Sequence, residues 1–226
     1  MIAVAIDGPS GAGKSTIAKA AAKQLGFIYV DTGALYRTVG YAVSKKGIDL
    51  TDEMQLKQLL SGIQVTFSYD EQGSQRVFLN GEDVSEKIRT PEMSMMASKV
   101  SALSAVRAFL LDLQRNTAKH QSVIMDGRDI GTVVLPDADV KIFLTASPEI
   151  RAERRYRELI QKGEEVTLKE VLQDVIQRDY HDSHREIAPL KQAEDAVLLD
   201  TSGYTLEKSI AEVLRMIKEA APCSIK

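Results

Sequence analysis

Cysteine is almost missing from this chain. One residue, Cys223, stands among 226, so no internal disulfide can form, and a reducing, cytoplasmic setting is the expectation. Long apolar runs are missing as well. The first, IAVAI at 2–6, has no basic residue before it and ends in Asp7. It fits neither a secretion signal nor a membrane span. An excess of positive charge is also lacking: 29 Lys and Arg against 32 Asp and Glu leave a net charge of −3. Proteins that lie along a polyanion are usually basic, so nucleic acid is not an expected partner, and neither is a membrane. Aromatic residues are few at 5%, which weighs further against a nucleic-acid-associated ATPase. The chain has no N-K-x-D element, the guanine reader of GTPase switches, and no internal repeat or low-complexity segment. With no long exposed apolar stripe evident, a monomer is expected.

What the chain does have begins at residue 6. The stretch IDGPSGAGKST places Gly8, Gly13, Lys14 and Ser15 in the spacing G-x-x-x-x-G-K-[ST], the phosphate-binding loop of nucleoside triphosphate enzymes. Glycines let the backbone curl so that successive N–H groups face phosphate oxygens. A following helix aims its positive end at the same anion. Gly8, Pro9, Ser10, Gly11, Ala12, Gly13, Lys14, Ser15 and Thr16 are therefore the expected ATP-phosphate residues. Lys14 is expected to act on the transferred phosphate. Ser15 is expected to offer its hydroxyl to Mg²⁺.

Apolar and helical segments alternate around this loop. IAVAI (2–6), FIYVD (27–31), SVIMD (122–126), VKIFLTA (140–146) and AVLLD (196–200) read as five buried strands with helices between them, an α/β chain with a parallel sheet. IQVTFSY (63–69) and QRVFLNGEDV (75–84), with a turn at Asn80 and Gly81, read as an antiparallel insertion. Thr90 and Pro91 start the next helix. Met93, Met96, Val100, Leu103, Val106, Leu110 and Leu113 recur at helical spacing, which predicts one long helix with a single core face. The segment 151–165, RAERRYRELIQKGEE, is so charged that it predicts a helix with no apolar face: a solvated surface helix, or a mobile lid that excludes water.

Ligands of open parallel sheets bind beyond the C-terminal strand ends, and three polar clusters lie there or in the charged helices. DTGALYR (31–37) offers Thr32 and Arg37. DGRDIG (126–131) offers Asp126, placed to order a water on Mg²⁺, and then Arg128 and Asp129. In RDYHDSHR (178–185), Arg178, Asp182 and Arg185 fall on one face if the helix continues through them. An exposed ion-pair ladder is the plainer reading of that last cluster. Beside a phosphate loop the arginines gain a purpose, because phosphoryl transfer needs positioning and positive charge. His181 and His184, at i and i+3, have the spacing of a metal pair, but with no cysteine nearby they read as solvated or capping histidines.

GPSGAGKST, DTGALYR, EDVSEKIRTPEMS, DGRDIGTVVLPDADVKIFLTAS and RDYHDSHREIAPLKQAEDAVLLDTS, in this order, resemble the bacterial cytidylate kinases. The resemblance implies a P-loop nucleoside monophosphate kinase fold within a single kinase domain, 1–226. It has a five-stranded parallel sheet with helices on both faces, an antiparallel monophosphate-binding insertion at about 61–95 and a helical lid at about 151–165. It implies transfer from ATP, with Mg²⁺, to CMP and dCMP. Arg37, Arg128 and Arg185 would then hold the acceptor phosphate, and Arg178 and Asp182 the sugar. Ser98, Arg107 and Asp129 would read cytosine. Thr32 keeps the hydroxyl where the family often has serine. Arg151, Arg154 and Arg155 would belong to the lid, with Arg154 and Arg155 on ATP. Lys14, Arg128, Arg178 and Arg185 would be catalytic. A kinase of another base or of a small metabolite, and a P-loop switch or ATPase, are the rival readings.

Overall fold

The computed structural model describes residues 1–221; Cys223 lies outside the described residues. Along the chain run β1 (Ala3–Asp7), α1 (Lys14–Leu25), β2 (Ile28–Asp31), α2 (Thr32–Lys46), α3 (Glu53–Gly62), β3 (Val65–Tyr69), β4 (Gln75–Leu79), β5 (Glu82–Asp83), α4 (Pro91–Ser101) and α5 (Ser104–His120). Then come β6 (Val123–Gly127), a π-helical turn (Ile130–Val134), β7 (Val140–Thr145), α6 (Pro148–Gln161), α7 (Leu168–His184), β8 (Val197–Asp200) and α8 (Leu206–Ala220). These elements fall into two compact units, one made of residues 1–29 and those from 121 onward, the other of 30–120.

The first unit is built on the five-stranded parallel sheet, in the order β2–β6–β1–β7–β8. Strand β1 sits at its centre, parallel to β6 on one side and β7 on the other. Strands covered on both faces need unbroken apolar sequence, and Val4, Ala5 and Ile6 in β1 and Ile124 and Met125 in β6 are essentially fully buried. The connection that leaves β1 runs to β2 on one side of the sheet, and the one that leaves β7 runs to β8 on the other, so the gap between the ends of β1 and β7 is a topological switch point, where such folds place ligands. Ile17, Ala18 and Ala21 of α1 and Val213 and Ile217 of α8 share one core with Ile6 and Leu144.

Helix α6, whose charge predicts no apolar face, does bury apolar residues, against α7. Ala152 and Leu159 meet Val171 and Val175 in a narrow seam. Spacings of seven and four residues place each pair on one stripe, while the surrounding arginines and glutamates stay outside it. A capping box between Thr167 and Glu170 fixes the start of α7.

The second unit packs α2 against α4 and α5, with Leu35, Val39, Leu56, Val77, Val100 and Leu110 in its core. Its sheet is the three-stranded antiparallel β3–β4–β5. Asn80 and Gly81 make the turn from β4 to β5 with φ of 51° and 81°, the left-handed pair that a two-residue hairpin requires. The single long helix expected after Thr90 is two helices, α4 and α5, bent by 100° at a break of a few residues. The Ser101 hydroxyl donates to the Ser98 carbonyl, and the Ala102 and Leu103 N–H groups close tight turns onto Lys99 and Val100. Serines compete for backbone groups at helix ends. The apolar stripe continues across the bend because Val100 of α4 and Val106 and Leu110 of α5 enter one core. Among the described residues no single helix is long and apolar enough to cross a membrane.

Candidate active site

The loop between β1 and α1 takes a shape that only glycine permits. Gly11 and Gly13 have φ of 75° and 90°, in the left-handed region. A Cβ on Gly8 would stand 1.9 Å from the Leu144 carbonyl oxygen of β7. Gly13 caps α1 without a side-chain bond, so the first N–H groups of the helix face the loop, the arrangement that receives phosphate.

Lys14 is buried, not solvent-facing. Its Nζ donates to the Pro9 carbonyl at 2.7 Å across the loop. Burial, and then the positive charge of Arg128, push its pKa down to about 7, against the pull of Asp126, Asp7 and Asp182. An arriving phosphate supplies the anion that this ammonium lacks. Beside it, the Ser15 hydroxyl donates to Asp126 at 2.8 Å, and the buried Tyr29 hydroxyl donates to the other Asp126 oxygen at 2.9 Å. One hydroxyl and one carboxylate form a hard, all-oxygen donor pair. It suits Mg²⁺, which keeps several waters and binds triphosphate through few protein groups. Sequence reasoning missed Tyr29; its place at the second position of an apolar strand concealed a polar role.

Two ion pairs follow β6. Arg128 Nε donates to Asp182 at 2.8 Å, and Arg185 Nη2 lies 3.5 Å from Asp129. Asp182 is 4% exposed, which excludes the surface ladder. Burial raises the Asp182 pKa, but Arg128, Arg178 and Arg185 outweigh it and hold the carboxyl below its usual range. The expected single helical face is corrected at one residue. Helix α7 ends at His184, and Arg185 is extended, with ψ of 143°. That turn lets Arg185 Nε donate to the Ala188 carbonyl while Nη2 faces Asp129. His184 stacks on Tyr180 with ring centroids 4.1 Å apart. Among the described residues no group of three or more His, Cys, Asp or Glu is placed to hold a metal.

The arginines of α6 divide. Arg151, 2% exposed, donates to the Ala146 and Ser10 carbonyls and forms a two-armed pair with Asp179. It ties the end of β7, the phosphate loop and α7 together. Arg154 reaches the Ala12 carbonyl in the loop and the Thr201 carbonyl just after β8. Arg155 pairs with Glu158 on its own helix. Asp179 is a second residue that sequence reasoning passed over; it lies one position from the arginine that drew attention.

Within the other unit, Asp31 caps α2 through the Ala34 N–H and pairs with Arg37 at 2.8 Å. Thr32 opens α2 and is buried. Ser98 and Arg107 stand on α4 and α5 on either side of the bend, and Arg107 Nη1 donates to the Ser101 carbonyl while lying over the Tyr36 ring. Their separation is therefore not that of nine residues along one helix axis.

Comparison with known proteins gives consistent findings. The family model described as "Cytidylate kinase" matches residues 4–219. A cytidylate kinase of Thermosipho melanesiensis is 49% identical over 216 residues, covering 96% of both chains. One of Carboxydothermus hydrogenoformans is 50% identical over 214 residues, covering 95% of this chain and 96% of that one. Among solved structures, an uncharacterized protein from Eubacterium ventriosum aligns over 96% of this chain and 99% of its own, with a TM-score of 0.53 and 13% identity, a likeness of fold alone.

Proposed function

The chain belongs to the cytidylate kinase family, and from that premise we propose that it transfers the γ-phosphoryl group of ATP to CMP and dCMP by direct in-line displacement. The observation that carries the reading is the joint presence of a glycine-shaped phosphate loop and, in the same unit, the Arg128–Asp182 and Arg185–Asp129 pairs. The loop N–H groups and Lys14 bind and orient the triphosphate. Arg128, Arg178 and Arg185 balance the charge of the acceptor phosphate and of the group in flight; phosphoryl transfer is catalysed mainly by such positioning and electrostatics. Ser15 and Asp126 would hold Mg²⁺, which when bound neutralises charge on the phosphates. Asp182 orients Arg128 and, with Arg178, receives the sugar. Asp129 accepts from the cytosine amino group, as carboxylates do in cytosine readout. Thr32, Arg37, Ser98 and Arg107 carry the acceptor contacts that the family resemblance implies, and Arg154 and Arg155 the ATP contacts. The net charge of −3 supports a small nucleotide over a polyanion as substrate, and a cytoplasmic monomer is part of the same proposal.

The test is product analysis with γ-labelled ATP and a panel of CMP, dCMP, UMP, AMP, GMP and shikimate. Label in CDP and dCDP supports the reading. Label in another product assigns a different acceptor, and free phosphate alone assigns an ATPase or switch.

A further inference from the structure

The turn that follows β6 has an unusual cap. Asp129 occupies the N-cap position of the π-helical turn Ile130–Val134, yet its side chain makes no capping bond. A carboxylate at that position normally accepts from the first N–H groups of its own turn. Here another residue does so. Asp7, the last residue of β1, is 5% exposed; one of its oxygens accepts from the Ile130 N–H at 2.7 Å, and the other from the Gly131 N–H at 2.7 Å. Register places Asp7 opposite Gly127 across the β1–β6 ladder. The same residue precedes Gly8, the first residue of the phosphate loop. Gly131 gives the close approach: a Cβ there would lie 3.1 Å from the Lys141 side chain and 3.4 Å from the Asp7 carboxylate.

We propose that Asp7 is a positioning residue for the acceptor nucleotide, capping the turn in place of Asp129 so that the Asp129 carboxylate is turned toward Arg185 and the acceptor. Asp7 itself touches neither nucleotide. It fixes the backbone of Ile130 and Gly131, and hence the direction of Asp129 and of Arg128 just before it, relative to the phosphate loop that it begins. Two charge-assisted bonds on a buried carboxylate are strong enough to hold that direction. Burial raises the Asp7 pKa to about 6 against the pull of those two N–H groups, so the carboxylate is largely ionised at neutral pH. The inference rests on the proposed role of Asp129 as the reader of cytosine.

Asp7→Asn is the test. Its amide oxygen can serve one N–H, while its NH₂ meets the other donor with a donor. The KM for CMP is expected to rise roughly 10- to 100-fold, the loss of one charge-assisted bond, with the KM for ATP changed less than about threefold. In an Asp129→Ala background the same substitution should cost little more, because coupled residues are not additive. An equal rise in both KM values, or an additive cycle, would overturn the proposal and assign Asp7 to general stability or to Lys14. Should Asp7→Asn not fold, Asp7→Glu keeps charge and acceptors on a longer arm and is read on the same KM ratio; an unchanged ratio overturns the proposal. Asp129→Ala alone tests the base reading. If it leaves the preference for CMP over UMP unchanged, that reading fails, and the Asp7 claim stands or falls on the KM split.

Discussion

Gly8→Ala is the sharpest perturbation of the phosphate loop. The backbone there has φ of +149°, and the added methyl would sit 1.9 Å from the Leu144 carbonyl oxygen and 3.0 Å from its carbonyl carbon. Real Cβ atoms essentially never approach within 3.0 Å, so the loop and β7 must part by about 1 Å in a close-packed interior. Leu144 cannot yield easily: it is fully buried in β7, between the partner strands β1 and β8. Overpacking of this kind costs ~1–3 kcal/mol, a fall in Tm of roughly 2–12 °C in a chain of this length. Displacing catalytic groups by about 1 Å costs on the order of 10²-fold in rate. The assay is steady-state transfer to CMP beside thermal unfolding. Gly26→Ala is the control, since Gly26 is also left-handed, with φ of +68°, but a methyl there meets nothing within 4 Å. It should lose roughly 1–2 kcal/mol and no kcat. Wild-type kinetics and Tm in Gly8→Ala would refute the steric account of the loop.

Three further outcomes follow from the same geometry. Lys14→Ala should lower kcat on the order of 10²-fold or more while keeping a cooperative unfolding transition; near-normal kcat in a folded variant would reject the loop's assigned role. Arg151→Met should destabilise the protein by roughly 1–3 kcal/mol, because the pair with the partly exposed Asp179 and two carbonyl contacts are lost at once; differential scanning calorimetry showing no loss would mean that α6 moves independently of the loop. Asp7 has a folded pKa of about 6 against an ordinary 3.8, so its contribution to stability is fully present below about pH 4 and is lost as pH rises through about 6. Subtracting the unfolding free energy of Asp7→Asn from that of the wild type across pH 4–7 should show this decline, and a flat difference would contradict it.

The central strands were legible from the sequence because buried parallel strands have no polar alternation to blur them; β8, expected to be buried too, is instead an edge strand with Val197 and Leu198 exposed, and only its apolar run marked it. Each of the five segments read as strands appears within a residue or two of its expected place. The insertion was legible through Asn80 and Gly81, which permit little besides a tight hairpin turn. The bend between α4 and α5 was hidden because a continuous apolar stripe is what two helices on one core also produce. Only Ser101 and Ser104 hinted at the ends. The phosphate loop was legible because its glycines are required by backbone shape at fixed spacing. Tyr29, Asp179 and Asp7 were not, since each acts through a partner distant in sequence: Asp126, Arg151 and the Ile130–Gly131 backbone. Charge alone left the segment around Arg151 as a solvated helix or a lid, and the family resemblance placed Arg151 in the lid. Its burial depends on two carbonyls that no composition reveals.

The central claim, a kinase that reads cytosine through Asp129, is tested most directly by kcat/KM for CMP and for UMP in the wild type and in Asp129→Ala. Uracil presents O4 as an acceptor where cytosine presents an amino donor, so UMP would set oxygen against the carboxylate and leave buried polar groups unpaired, at a cost of roughly 2–5 kcal/mol. The account predicts that the wild type favours CMP over UMP by well over about tenfold and that Asp129→Ala narrows the gap mainly by harming CMP. Equal use of the two acceptors by the wild type, or a ratio unmoved by Asp129→Ala, would contradict it.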